Sequence, residues 1–143
     1  MARNDVVREK MKELLNEDYL EETSDKYNRF FVRIKSNRIR NITQLLVNEL
    51  DGKLVTLSAD DIGVLGFDII YHFDFTHQEK HFYLSVKARV PRENPVIESV
   101  ANIAWSVNWA ERELMDLMGL KFDGHPDPRR LFLPYEWPSE EVA

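Results

Sequence analysis

Two stretches decide the fold: Phe67-Asp68-Ile69-Ile70-Tyr71-His72-Phe73-Asp74-Phe75 and Phe82-Tyr83-Leu84-Ser85-Val86-Lys87-Ala88-Arg89-Val90. In the first, Phe67, Ile69, Tyr71, Phe73 and Phe75 alternate with Asp68, Ile70, His72, Asp74 and Thr76. In the second, Phe82, Leu84, Val86, Ala88 and Val90 alternate with His81, Tyr83, Ser85, Lys87 and Arg89. Side chains on a strand point to opposite faces with a period of two, so each run has one apolar face. Joined by Thr76 to Lys80, they predict a long antiparallel hairpin with one buried face. Pro91 and Pro95 lack the ladder donor and end the pairing.

Upstream, Val7, Met11, Leu14 and Leu15 fall at helical spacing and predict a helix over 5–22, with Asn4 or Asp5 as a cap. Asn28 to Lys35 reads as a strand. Ile42, Leu45, Leu46 and Leu50 mark a helix over 38–50, closed by Asp51-Gly52, with the glycine supplying a left-handed turn. Leu54 to Leu57 reads as a short strand and Asp60 to Gly66 as a loop. Downstream, Ser99 to Met118 reads as the longest helix, with Gly119 its C-terminal cap. Four of the six prolines (Pro126, Pro128, Pro134 and Pro138) follow it, which predicts a stiff, extended segment short of backbone donors. The expected fold is a single α+β domain over 1–143. It has a mainly antiparallel sheet with a long hairpin, helices packed on one face, and an extended proline-rich C-terminal tail. Its parts are a helix at 5–22, an α+β core at 28–118 and a docking tail at 119–143.

The chain has 143 residues, no cysteine and a formal net charge of −6. Without thiolates it has no ligands for iron–sulfur clusters or thiolate zinc sites, and no cysteine nucleophile. An intracellular protein is the simpler reading than a disulfide scaffold. The acidic balance is the reverse of a nucleic-acid-binding domain. No apolar run reaches the length of a bilayer span, and Met1 to Asp5 has no signal-peptide character. Phosphate-binding glycine loops and the serine nucleophile elbow are absent too.

On the long helix, Val100, Ile103, Val107, Ala110, Leu114 and Leu117 form a core stripe at about 100° per residue. The opposite face aligns Trp105, Trp109, Arg112 and Asp116, with Glu113 at its border. An outer helix face is ordinarily polar, so two tryptophans there call for a cover. The cover is either the chain's own tail or a partner subunit, for which tryptophan and arginine are typical anchors. In the tail, Asp123, His125, Asp127, Arg129 and Arg130 crowd together. Arginine forks pair two-pronged with carboxylates, and Glu111, Glu113 and Asp116 are the nearest candidates. His125 in a rigid loop reads as a structural hydrogen-bonder before it reads as an acid–base catalyst. His72, His77 and His81 cluster around the hairpin without metal-ligand spacing and read as a solvated tip. The run Lys26 to Arg40 holds six basic residues and no acidic one. It is read first as a solvated strand-and-helix face and second as a steering patch for an acidic partner.

Glu111-Arg112-Glu113, Asp116, Gly119, Phe122, Gly124-His125-Pro126-Asp127, Arg129-Arg130-Leu131, Pro134 and Trp137 together resemble the signature of one family. Arg89-Val90-Pro91, Pro95 and Ser99 extend the match upstream. The family is the C-subunit family of complex I, the proton-pumping NADH:quinone oxidoreductase. It also supplies the matching component of membrane-bound, energy-converting nickel–iron hydrogenases of the Ech type. The resemblance implies a structural subunit with no cofactor, catalytic residue or metal ligand of its own. Iron–sulfur clusters, and in the hydrogenases a nickel–iron site, would lie in partner subunits. Those partners would be the large catalytic subunit and the iron–sulfur small subunit, with the membrane arm reached indirectly and no nucleic acid involved. It further implies a place on the cytoplasmic side of the membrane. Trp105 and Trp109 and the signature residues Glu111, Arg112, Glu113, Asp116, Gly119, Phe122, Gly124, His125, Pro126, Asp127, Arg129, Arg130, Pro134 and Trp137 would be docking residues. Met118 stands where the family usually has an aromatic ring. Ser139 to Ala143 does not resemble the Pro-Leu-Arg-Lys-Asp ending of complex I members. Both departures tilt the reading toward the hydrogenase-type relatives.

Overall fold

The computed structural model describes residues 3–24, 29–75 and 82–126. The two alternating runs form β4 (Phe67–Asp74) and β5 (Tyr83–Val90), paired antiparallel from Phe67 opposite Val90 to Asp74 opposite Tyr83. Phe75 and Phe82 extend the pair: the Phe75 N–H donates to the Phe82 carbonyl at 3.0 Å, and the rings stack at 4.6 Å.

Three strands complete the sheet around this hairpin. They are β1 (Tyr19–Ser24), β2 (Arg29–Ile34) and β3 (Lys53–Asp61), in the order β1-β2-β5-β4-β3. All neighbours are antiparallel except β2 and β5. On one sheet face Phe30, Val32, Ile34, Leu54, Ile69, Tyr71, Phe73, Leu84 and Val86 are buried. They join one core with Val7, Met11 and Leu15 of α1 (Arg3–Leu15), Ile39 and Ile42 of α2 (Ile39–Gln44), and Ala110 of α3 (Asn108–Met118). The fold is therefore α+β with helices on one face of a mostly antiparallel sheet.

Four boundaries differ from the sequence reading, each for a local reason. The first helix ends at Leu15, not at 22, because Asn16 adopts φ 51°, a left-handed conformation that short polar side chains tolerate. The chain then turns into edge strand β1. Helical structure covers 36–49, close to the expected 38–50, α2 continuing through a wider turn at Leu45–Glu49, but Asp51 and not Gly52 takes the positive φ. Gly52 is required by space: a Cβ there would lie 2.4 Å from the Phe75 ring. The strand after it runs over Lys53–Asp61, longer than expected, with an irregularity between Leu54 and Thr56.

The fourth difference reshapes the segment from Ser99 to Met118. Ala104 is extended (φ −132°, ψ 92°), so α3 begins only at Asn108 after a tight turn over Trp105–Val107. The helix is flanked by two short strands that the sequence reading did not foresee. These are β6 (Val96–Glu98) and β7 (Lys121–Asp123), paired parallel with Ile97 beside Phe122. Three residues are too few to show a period, and β7 falls inside the stretch assigned to the tail. Gly119 caps α3 with φ 72°, as expected.

Candidate docking site around the third helix

The expected signature residues separate into an outer and an inner group. Trp105 and Trp109 remain 67% and 57% exposed. The Arg112 guanidinium lies 5.9 Å from the centre of the Trp109 ring, close enough for a cation–π contact. Arg112, Glu113 and Asp116 are half-buried, and Gly119, Gly124 and Pro126 are exposed. Leu117, placed by its spacing on the core stripe, is 69% exposed and belongs to this outer surface instead. Only a short helix follows Ala104, and in its last turn Met115 and Met118 pack against the core while Leu117 faces outward. Val100, Val107 and Ala110 are buried, but Val100 reaches the core from the irregular segment rather than from a helix.

Glu111, Phe122 and His125 turn inward, so they hold the surface together rather than present it. Phe122 is 3% exposed in the core beside Ile97. Glu111 is fully buried and accepts hydrogen bonds from the Ser99 hydroxyl (2.5 Å) and the Val100 N–H (2.9 Å). The Ser99 Oγ in turn accepts from the Ala101 N–H at 3.2 Å. One carboxyl group thus ties the irregular segment after β6 to the first turn of α3. The His125 side chain is 1% exposed. Its Nε2 lies 3.3 Å from the Asn108 carbonyl and 3.6 Å from Glu111 Oε1. A carbonyl only accepts, so this contact places a hydrogen on Nε2. Burial pushes the Glu111 carboxyl up to about 7, against the opposing pull of the Ser99 and Val100 hydrogen bonds. Tyr71, fully buried on β4, is raised by burial and by the nearby Glu111 charge.

Asp127, Arg129, Arg130, Pro134 and Trp137 lie outside the described residues, as do His77, His81 and Lys26. The rest of the basic run is occupied within the chain. Arg33 bonds Asp68 and Glu21, Arg38 bonds Asp18 and the Leu14 carbonyl, Lys35 faces Asp18 at 3.7 Å, and Arg40 donates to the Ser99 carbonyl at 3.1 Å. This favours the solvated-face reading over a free steering patch. His72 sits within the sheet, where Ser58 and Ser85 contact its two ring nitrogens at 2.9 and 3.3 Å, and burial lowers its proton affinity. No group of three or more His, Asp or Glu among the described residues has the arrangement of a metal site. Among the described residues no helix is long and apolar enough to cross a membrane.

The sequence reading missed the role of Asp68, which is 5% exposed and gripped by two arginines. Arg89 donates at 2.9 and 3.2 Å, and Arg33 at 3.3 and 3.5 Å. Burial opposes its ionisation, but the two guanidinium groups outweigh that and hold the carboxyl below its usual range. Aligning the two alternating runs places Asp68 opposite Arg89, so the signal was present in the hairpin register.

Comparison with known proteins converges on one family. The family model described as respiratory-chain NADH dehydrogenase, 30 Kd subunit, matches residues 32–141. The C-subunit of the NADH-quinone oxidoreductase of Chloroherpeton thalassium is 40% identical over 84 residues, covering 59% of this chain and 35% of that protein. The C-subunit of the F(420)H(2) dehydrogenase of Methanosarcina mazei is 40% identical over 75 residues, 50% of this chain and 46% of that one. The chain therefore spans between a third and a half of the length of these relatives. Two solved structures share the fold. A trypsin-resistant fragment of Nqo5 has a TM-score of 0.73 at 22% identity, covering 88% of this chain and 99% of that one. A chain of the membrane-bound sulfane sulfur reductase, an archaeal respiratory membrane complex, has a TM-score of 0.78 at 19% identity, covering 96% and 81%. With more than half its length matched by the family model, the chain belongs to the 30 Kd subunit family of the respiratory-chain NADH dehydrogenases.

Proposed function

We propose that this chain is a cofactor-free structural subunit of a complex-I-like membrane redox complex. It docks on the cytoplasmic side against the large catalytic subunit and the iron–sulfur small subunit, which carry the electrons. The observation that supports this most is the outer face of α3. Trp105 and Trp109 leave large apolar surfaces open, with Arg112 set beside one of them. Exposed aromatic rings next to arginine are the usual anchors of a protein interface. The lack of cysteine in this sequence supports a reading in which thiolate-bound clusters lie on other chains.

Two types of complex compete. The names of the relatives support a dehydrogenase, one that feeds quinone or a similar acceptor. A ferredoxin-linked energy-converting hydrogenase, the type preferred from the sequence, is supported by Met118 before Gly119. A nickel assay on the purified complex separates them, since only the hydrogenase type contains nickel.

Oxidative footprinting tests the docking face itself. Trp105 and Trp109 are expected to oxidise readily in the free chain and to be protected in the assembled complex. Equal oxidation in both states contradicts the assignment of this face.

A further inference from the structure

We infer that the turn between β3 and β4 is a second docking prong, whose exposed Val64 and Leu65, held out by a fixed backbone, seat in an apolar socket with a basic rim on another protein subunit of the assembly.

Exposure marks the tip. Val64 is 94% exposed and Leu65 59%, within the tight turn Gly63–Leu65. Turns are ordinarily built from glycine, proline, asparagine, aspartate and serine, each for a backbone reason. Two consecutive large aliphatic side chains serve no such purpose, and neither joins the chain's own core.

The backbone beneath them is fastened from several sides. The Ile62 N–H donates to the Gly66 carbonyl at 2.9 Å, and the Gly66 N–H to the Gly63 carbonyl at 3.0 Å. The Asp61 carboxylate accepts from the Gly63 N–H at 3.0 Å. Arg92, from the segment after β5, donates through Nε to the Gly63 carbonyl at 2.8 Å, pairs with Asp61 and lies 4.7 Å from the centre of the Phe67 ring. Gly66 takes φ 109°, and a Cβ there would collide with the Val90 carbonyl oxygen. A tip fixed in this way has little conformational freedom left to lose when a partner covers it. The tip follows the Asp61 end of β3, whereas Ser106, beside Trp105, bonds the Leu54 carbonyl near the other end. At about 3.3 Å per residue these ends are roughly 20 Å apart, so the prong and the turn that carries Trp105 are separate points of contact.

Charge selects the occupant. Asp61 and Arg92 neutralise each other, but their chain neighbours Asp60 and Glu93 are exposed and have no ion-pair partner among the described residues. The tip therefore sits in a negative field. That field is repelled by the anionic surface of a membrane and by the same turn on a second copy of the chain. It is complementary to an apolar socket bordered by lysine or arginine.

The socket belongs to the complex of the proposed function, so the prong rests on that reading. Hydroxyl-radical footprinting of the free full-length chain and of the purified complex separates the two. Val64 and Leu65 are expected to react readily in the free chain and to be protected in the complex. Protection of Trp105 and Trp109 without protection of the turn overturns the prong and leaves the docking reading standing. No protection at either place contradicts both. In a second arm, Val64→Ser with Leu65→Ser is expected to leave the unfolding midpoint near wild type and to speed loss of the chain from the washed complex by about tenfold or more. Loss at the wild-type rate overturns the prong. Asp60→Lys with Glu93→Lys is expected to speed the loss as well, and unchanged or slower loss refutes the basic rim. Binding of the free chain to phosphatidylglycerol vesicles, or its dimerisation in sedimentation, overturns the proposal if the serine variant abolishes it. Should the serine variant fail to fold, the wild-type footprint decides alone.

Discussion

Replacing Trp105 and Trp109 together by alanine separates folding from docking. A tryptophan carries roughly 250 Å² of surface. At 67% and 57% exposure, about 170 and 140 Å² remain open on the two rings. At about 25 cal/mol per Å², covering them by a partner contributes at most about 4 kcal/mol each. Alanine substitutions that forfeit half of this weaken docking by about thirtyfold per ring. The folded chain has little to lose, because exposed side chains away from caps and buried networks change stability by about 0.5 kcal/mol or less. Arg112 loses its ring contact, which adds at most a further ~0.5–1 kcal/mol at an exposed site. The assay pairs thermal unfolding of the purified variant with its recovery in the membrane complex of a strain that lacks the wild-type chain. The expected result is a midpoint near wild type and a complex from which the chain washes off. A large fall in unfolding temperature refutes the reasoning, since the rings would then serve the chain's own packing. Undiminished recovery in the complex refutes it as well.

Three further outcomes follow from the fold. Asp68→Ala leaves Arg89 and Arg33 without their shared carboxylate. Arg89 is 40% exposed and Arg33 keeps Glu21, so the cost is about 1–2 kcal/mol, read as a lower unfolding midpoint. Because the folded-state value of Asp68 is lowered, its contribution is present above the ordinary carboxylate range and is lost as pH falls through the lowered value. The difference between wild type and variant therefore narrows in acid, which urea titrations at pH 7 and pH 3 measure. Gly52→Ala drives a methyl into the Phe75 ring and disturbs its stack on Phe82, costing about 1–3 kcal/mol by chemical denaturation.

The central hairpin was legible because its two strands carry an uninterrupted period of two, whereas most of edge strand β1 falls within the stretch read as helix. Burial on one face selects that pattern strongly, so the pairing of the two runs followed. The first helix was overextended because Asn16 gives no hydrophobic signal, and only its backbone conformation shows the break. The long helix was overextended for a different reason. Val100, Ile103 and Val107 keep helical spacing although Ala104 is extended, and tertiary contacts from Glu111 to Ser99 and Val100 hold the irregular segment in place. Local propensity gives way to such contacts. Within the site, Trp105, Trp109 and Arg112 were readable as an outward face. Glu111 and His125 were readable as signature residues, but not as inward-facing ones. Nothing in their spacing reveals that β6 and β7 pair beneath them.

The central claim is that the chain works inside a redox assembly whose carriers lie on other chains. A tagged copy of the full chain is purified from membranes under mild conditions, and iron and acid-labile sulfide are measured in the fraction that contains it. The account predicts that this cysteine-free 16.9 kDa chain elutes far above its own mass together with iron–sulfur subunits. An iron-free monomer as the sole native form contradicts it.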